Sequence, residues 1–152
     1  MANWYSLIKQ DLKNIIPAME FFEKEITEAE EDVKIKGRLL DTAAQLSGIF
    51  EYRFSQLQQI EAILKYLEIL LDEEESKLYK KYNEGYQRML SESAKHEYIK
   101  GEPTYSALKK YIIDISYVRN QYIAISKALD VKNFMISNIT KLKTAGVDDF
   151  EV

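Results

Sequence analysis

Side chains able to carry reaction chemistry are few in this chain, and they stand apart. His96 is the single histidine, and cysteine is absent. A Ser/His/Asp triad would hang on that one residue, while thiol nucleophiles, disulfides and zinc–cysteine sites are excluded. Glu92 precedes His96 at the wrong spacing for the Glu-x-x-His pairs of a di-iron bundle, and the second pair has no histidine. His96 lies in a polar stretch and reads as a solvated surface residue. A phosphate loop, a dinucleotide fingerprint, His-Glu-x-x-His and a serine elbow are all missing. The run Asp72-Glu73-Glu74-Glu75 lacks the glycine and spaced oxygens of a calcium loop, so it reads as a solvated helix face. The expectation is a protein that is not an enzyme and uses no cofactor or metal.

Binding chemistry is better supplied. The formal net charge is −4, which argues against a strongly cationic binder. Residues 77–144, however, hold 13 basic against 6 acidic residues, and the segments on either side are acidic. Tyr79, Tyr82, Tyr86, Tyr98, Tyr105, Tyr111, Tyr117 and Tyr122, eight of the 11 tyrosines, fall in that basic segment among its lysines. Cations that track a phosphate backbone, with aromatic faces for unstacked bases, suit sequence-tolerant binding of a single strand. Lys77, Tyr79, Lys80, Lys81, Tyr82 and Arg88, grouped around Gly85, are the candidate DNA contacts. Tyr111 and Tyr122 fall on an apolar seam and read as core.

The elements that position these residues are helices, because 5 Gly and 2 Pro leave few turns in 152 residues. Asn3 caps a first helix that Pro17 ends or kinks, and helical spacing resumes from Met19 to Ala29. Residues 32–48 read as a connecting segment punctuated by Gly37 and Gly48. From Phe50 a 3-4 seam runs through Leu57, Ile60, Leu64, Leu67, Leu71 and Leu78, with Glu74 as its polar interruption, and breaks near Gly85. A short helical piece carries Tyr86, Leu90 and Ala94. After the turn at Gly101-Glu102-Pro103-Thr104 a second long helix spans 105–143, its seam broken only by Lys132. The fold class is all-α: an elongated hairpin or bundle of two long helices plus N-terminal helices. Its parts are an acidic segment 1–31, a helical core 32–144 that is basic in its second half, and an acidic tail 145–152. Leu108, Ile115, Val118, Ile125, Leu129 and Ile136 are expected to join copies into a homo-oligomer; a monomer that uses both seams internally is the alternative.

Several landmarks together resemble the UvsY-like family of recombination mediators from T-even-type phages. They are Asp32-Val33-Lys34-Ile35, Ala43-Ala44, the basic and aromatic run from Lys77 to Gly85, and the closing segment from Asn133 to Ile139. The resemblance covers roughly residues 32–145 and is one of pattern. Within the basic motif Lys77, Tyr82 and Gly85 match in place, whereas Tyr79 stands where the family has arginine and Lys81 where it has aspartate. The resemblance implies a ring-like homo-oligomer that binds single-stranded DNA. It further implies that the protein helps a RecA-like recombinase displace single-strand binding protein. The competing expectation is a helical assembly or adaptor protein, such as a phage structural or scaffolding component, that does not touch nucleic acid. Neither a leader-like N-terminus nor an apolar run near the roughly 20 residues of a membrane helix is present, so a cytoplasmic protein is expected, in the host cytoplasm if phage-encoded. The acidic tail, with Phe150 among three acids, is expected to be a mobile end that only solubilises, or else competes with DNA for the basic surface or docks Phe150 into a partner's basic groove.

Overall fold

A computed structural model describes residues 1–85 and 89–147 of the chain. Arg88, Tyr86 and tail residues 148–152 lie outside the described residues. The elements in order are α1 (Trp4–Gln10), a 3-10 turn (Leu12–Asn14), α2 (Ile15–Asp32), α3 (Leu39–Glu84), α4 (Glu92–Lys100) and α5 (Pro103–Thr144), with no strand among the described residues. The all-α expectation is borne out. By the rise of an α-helix, α3 spans about 69 Å and α5 about 63 Å.

Local chemistry sets the helix ends. Asn3 Oδ1 accepts from the Ser6 N–H at 3.0 Å and starts α1. The first break falls at Asp11, whose carboxylate accepts from the Lys13 N–H; Pro17, expected to end or kink the helix, instead sits in the first turn of α2. A proline costs little there, because first-turn N–H groups have no intrahelical acceptor. The connection before α3 shrinks to residues 33–38, where Gly37 takes φ of +79°, a conformation that favours glycine. Residues 39–48, expected as connection, are helical. Their period was hidden by a polar residue at a buried position: Thr42 is buried with its hydroxyl donating to the Lys36 carbonyl at 2.8 Å.

α3 and α5 run antiparallel. Glu74 of α3 accepts from the Thr104 hydroxyl at 2.6 Å near one end, and Leu46 packs with Leu129 and Ile136 near the other. α2 lies beside them parallel to α5, since the Tyr122 hydroxyl reaches the Phe22 carbonyl at 3.3 Å and Lys132 reaches that of Asp32 at 2.6 Å. The main core draws Ile8 from α1, Phe22 from α2, Ile63 and Leu67 from α3, and Val118 and Tyr122 from α5.

This arrangement corrects one site expectation. Leu108, Ile115, Val118, Ile125, Leu129 and Ile136 are all buried inside the single chain. A three-helix bundle turns that seam inward, so contacts between copies have to use other residues.

Candidate functional site

At the end of the bundle where α3 stops and α5 begins, Lys77, Lys80 and Lys81 line one open depression of about 420 Å³ with Glu84 and Gly85. The 3- and 1-residue steps along the last turns of α3 place all three lysines on the solvent side, opposite buried Leu78 and Tyr82. Lys77 and Lys80 are exposed and make no ion pair among the described residues. The side chain of Lys81, 60% exposed, reaches Glu102 Oε1 at 3.0 Å. Hydrogen bonds from the Tyr82 hydroxyl and from Lys81 hold the Glu102 carboxyl below the usual carboxylate range.

The two tyrosines do not offer the faces expected of them. Tyr82 is buried; its hydroxyl donates to Glu102 and its ring stacks on Tyr98, centroids 5.5 Å apart at 19°. The Lys81 ammonium lies 5.3 Å from the Tyr82 ring centre. Tyr79 is half-buried, donates to Glu92 at 3.0 Å and has the Lys95 ammonium 5.1 Å from its ring centre. Lys95 itself is buried, donating to Asn83 at 2.8 Å and to Glu92 at 3.0 Å. These contacts dock α4, capped by Ser91, back onto the end of α3. The aromatic half of the motif thus holds α4 and Glu102 against the end of α3, and the lysine half faces water. Arg88 falls outside the described residues.

A second polar constellation lies toward the opposite end, where the sequence reading placed none. The Arg53 side chain, 5% exposed, donates to Glu25 at 2.6 Å, to Asp32 at 2.7 Å and to Gln56 at 3.1 Å. Gln56, fully buried, donates to the same Glu25 oxygen at 3.0 Å. Burial alone pushes the Glu25 carboxyl up, but hydrogen bonds from Gln56 and Arg53, with the Arg53 charge, outweigh it and leave it below its ordinary value. Lys132, the break in the α5 seam, donates to the last carbonyl of α2 and so caps a helix end that lacks an intrahelical partner. Burial lowers its affinity for the proton. The signal in the sequence was the placement of Arg53 and Gln56 on the stripe that continues to Ile60 and Ile63, opposite the acids of α2.

Comparison with protein-family models, with curated proteins and with solved structures gives no match.

Among the described residues, no three His, Asp or Glu side chains gather as they would to hold a metal ion. Among those residues too, no helix is long and apolar enough to cross a membrane. The Arg53 network is internally paired throughout, so it reads as a clamp between α2, α3 and α5. The exposed lysines are the part of the site with unsatisfied charge.

Proposed function

We propose that the protein binds single-stranded DNA without catalysing a reaction and acts as a recombination mediator, helping to load a RecA-like recombinase on strands coated by single-strand binding protein. The observation that carries the DNA-binding part is the convergence of Lys77, Lys80 and Lys81 on one open depression, with two of the three free of any ion pair among the described residues. The mediator part rests on the resemblance to the UvsY-like family. With Tyr82 committed to Tyr98 and Glu102, affinity rests on phosphate contacts more than on base stacking.

The test is fluorescence anisotropy of a labelled oligo-dT strand across a salt series. Each lysine–phosphate contact on a single strand contributes about −0.7 to the slope of log affinity against log salt, so three make a slope near −2 per subunit. Lys77→Ala, Lys80→Ala and Lys81→Ala together should flatten that slope by about 2 and leave the helical circular dichroism unchanged. Unaltered binding by the triple variant would remove the site. For the mediator role, adding the protein should shorten the lag of recombinase ATPase on a coated strand. Helix-on-helix assembly without nucleic acid is the second reading, favoured by exposed apolar residues along α5; it forecasts no oligo-dT binding even at low salt.

A further inference from the structure

α5 carries a second apolar stripe, half a turn away from its buried seam. Ile113, Tyr117, Ala124, Val131, Met135 and Leu142 recur at 4- and 7-residue spacing, and all are exposed. The exposures of Ile113, Tyr117 and Val131 are 65%, 66% and 60%. Single exposed apolar residues are ordinary, but a continuous stripe at helical spacing marks an interaction face. Both α2 and α3 pack on the other side of α5, so the whole length of the stripe is open.

We infer that this face pairs with the same face of a second copy, α5 against α5 in antiparallel register about a two-fold axis near Ala128. The pattern of polar residues selects this occupant. With the axis there, Asp114 of one copy stands level, to within about one residue, with Lys143 of the other, on the same flank of the stripe. Lys127 comes level with Asp130 to within one residue on the opposite flank, and the two asparagines within the stripe, Asn120 and Asn138, come within two residues of each other. A two-fold operation repeats each pairing twice, which is what a self-complementary interface requires. Opposite charges beside an apolar seam and a polar residue facing a polar residue within it are the features that fix register in paired helices. Parallel pairing would instead set Asp114 of one copy 29 residues away from Lys143 of the other and lose that match. The inference is independent of the DNA-binding reading, because the stripe shares no residue with the lysine depression.

Cysteine is absent from the chain, so introduced thiols report contacts without background. Ala128→Cys should form a disulfide-linked dimer under mild oxidation. Ile113→Cys should not, because the two thiols would lie about 45 Å apart along the antiparallel pair at 1.5 Å per residue. Asp114→Cys mixed with Lys143→Cys should give a heterodimer. Val131→Glu should convert a dimeric parent to a monomer by sedimentation, with its helicity and cooperative unfolding retained since that position is solvent-exposed. A parent that sediments as a monomer at micromolar concentration overturns the proposal. So does cross-linking of Ile113→Cys as fast as Ala128→Cys, which would mean parallel pairing.

Discussion

Arg53 shows what a charge does when the fold withdraws it from water. Isolated in the interior it would cost several kcal/mol, and the structure meets that cost with two carboxylates and an amide. The pH dependence follows from Glu25, whose folded-state carboxyl titrates below its ordinary 4.5. A depressed carboxyl adds stability that is whole above pH 4.5 and is lost as pH falls through the folded-state value. Thermal unfolding of the parent should therefore lose midpoint temperature below that pH. Glu25→Gln should be less stable at neutral pH and show a shallower acid limb. Parallel acid limbs for the two proteins would separate Glu25 from the clamp. The same reasoning explains Lys132: a lone lysine on an apolar seam is tolerated because the end of α2 presents a carbonyl to it.

The helices owe their limits to capping and to burial in different proportions. α1 and α4 are short and begin at side-chain caps, Asn3 and Ser91. The start of α3 at Leu39 has no side-chain cap and depends on packing of Leu39, Leu46, Ile49 and Phe50 against Ala29, Ile125 and Leu129. Gly48 lies inside this helix, exposed, and a Cβ added there meets nothing within 4 Å. Gly48→Ala should raise stability by about 0.5–1 kcal/mol, since glycine in a helix interior gives up backbone entropy that alanine does not. Urea denaturation at constant m-value checks it; a fall in stability would mean that residues 39–48 are not a helix in solution.

Across the whole molecule, α1 and α2 are part of one core with α3 and α5. Removing residues 1–36 would uncover Ile60, Ile63, Leu67, Val118 and Tyr122 together and leave Arg53 buried on one side without its acids. The truncated chain should lose cooperative thermal unfolding and bind a hydrophobic dye, whereas a sharp, parent-like transition would show that α3 and α5 fold by themselves. Charge is also divided at this scale: the acids of α2 lie along the bundle, while Lys77, Lys80 and Lys81 stand together where α3 ends.

Apolar periodicity, with the glycines that interrupt it, was enough to determine that the chain is helical, that a first long helix stops near Gly85 and a second starts after Gly101, and that Leu57 to Leu78 and Leu108 to Ile136 face a core. Those features repeat with the 3.6-residue period and need no distant partner to be legible. The run of lysines from Lys77 to Lys81 was legible in the same way, because charges on the last turns of a helix reach solvent whatever packs behind them. Tertiary structure alone decided the rest. Whether the α5 seam faces another copy or this chain's own α2 and α3 depends on where α2 docks. The burial of Thr42, Arg53, Gln56 and Lys132 depends on acceptors up to 100 residues away. Tyr82 was indistinguishable in sequence from an exposed stacking ring until Tyr98 and Glu102 folded over it. A polar or aromatic side chain carries no mark of its partner, and only the closing of the chain supplies one.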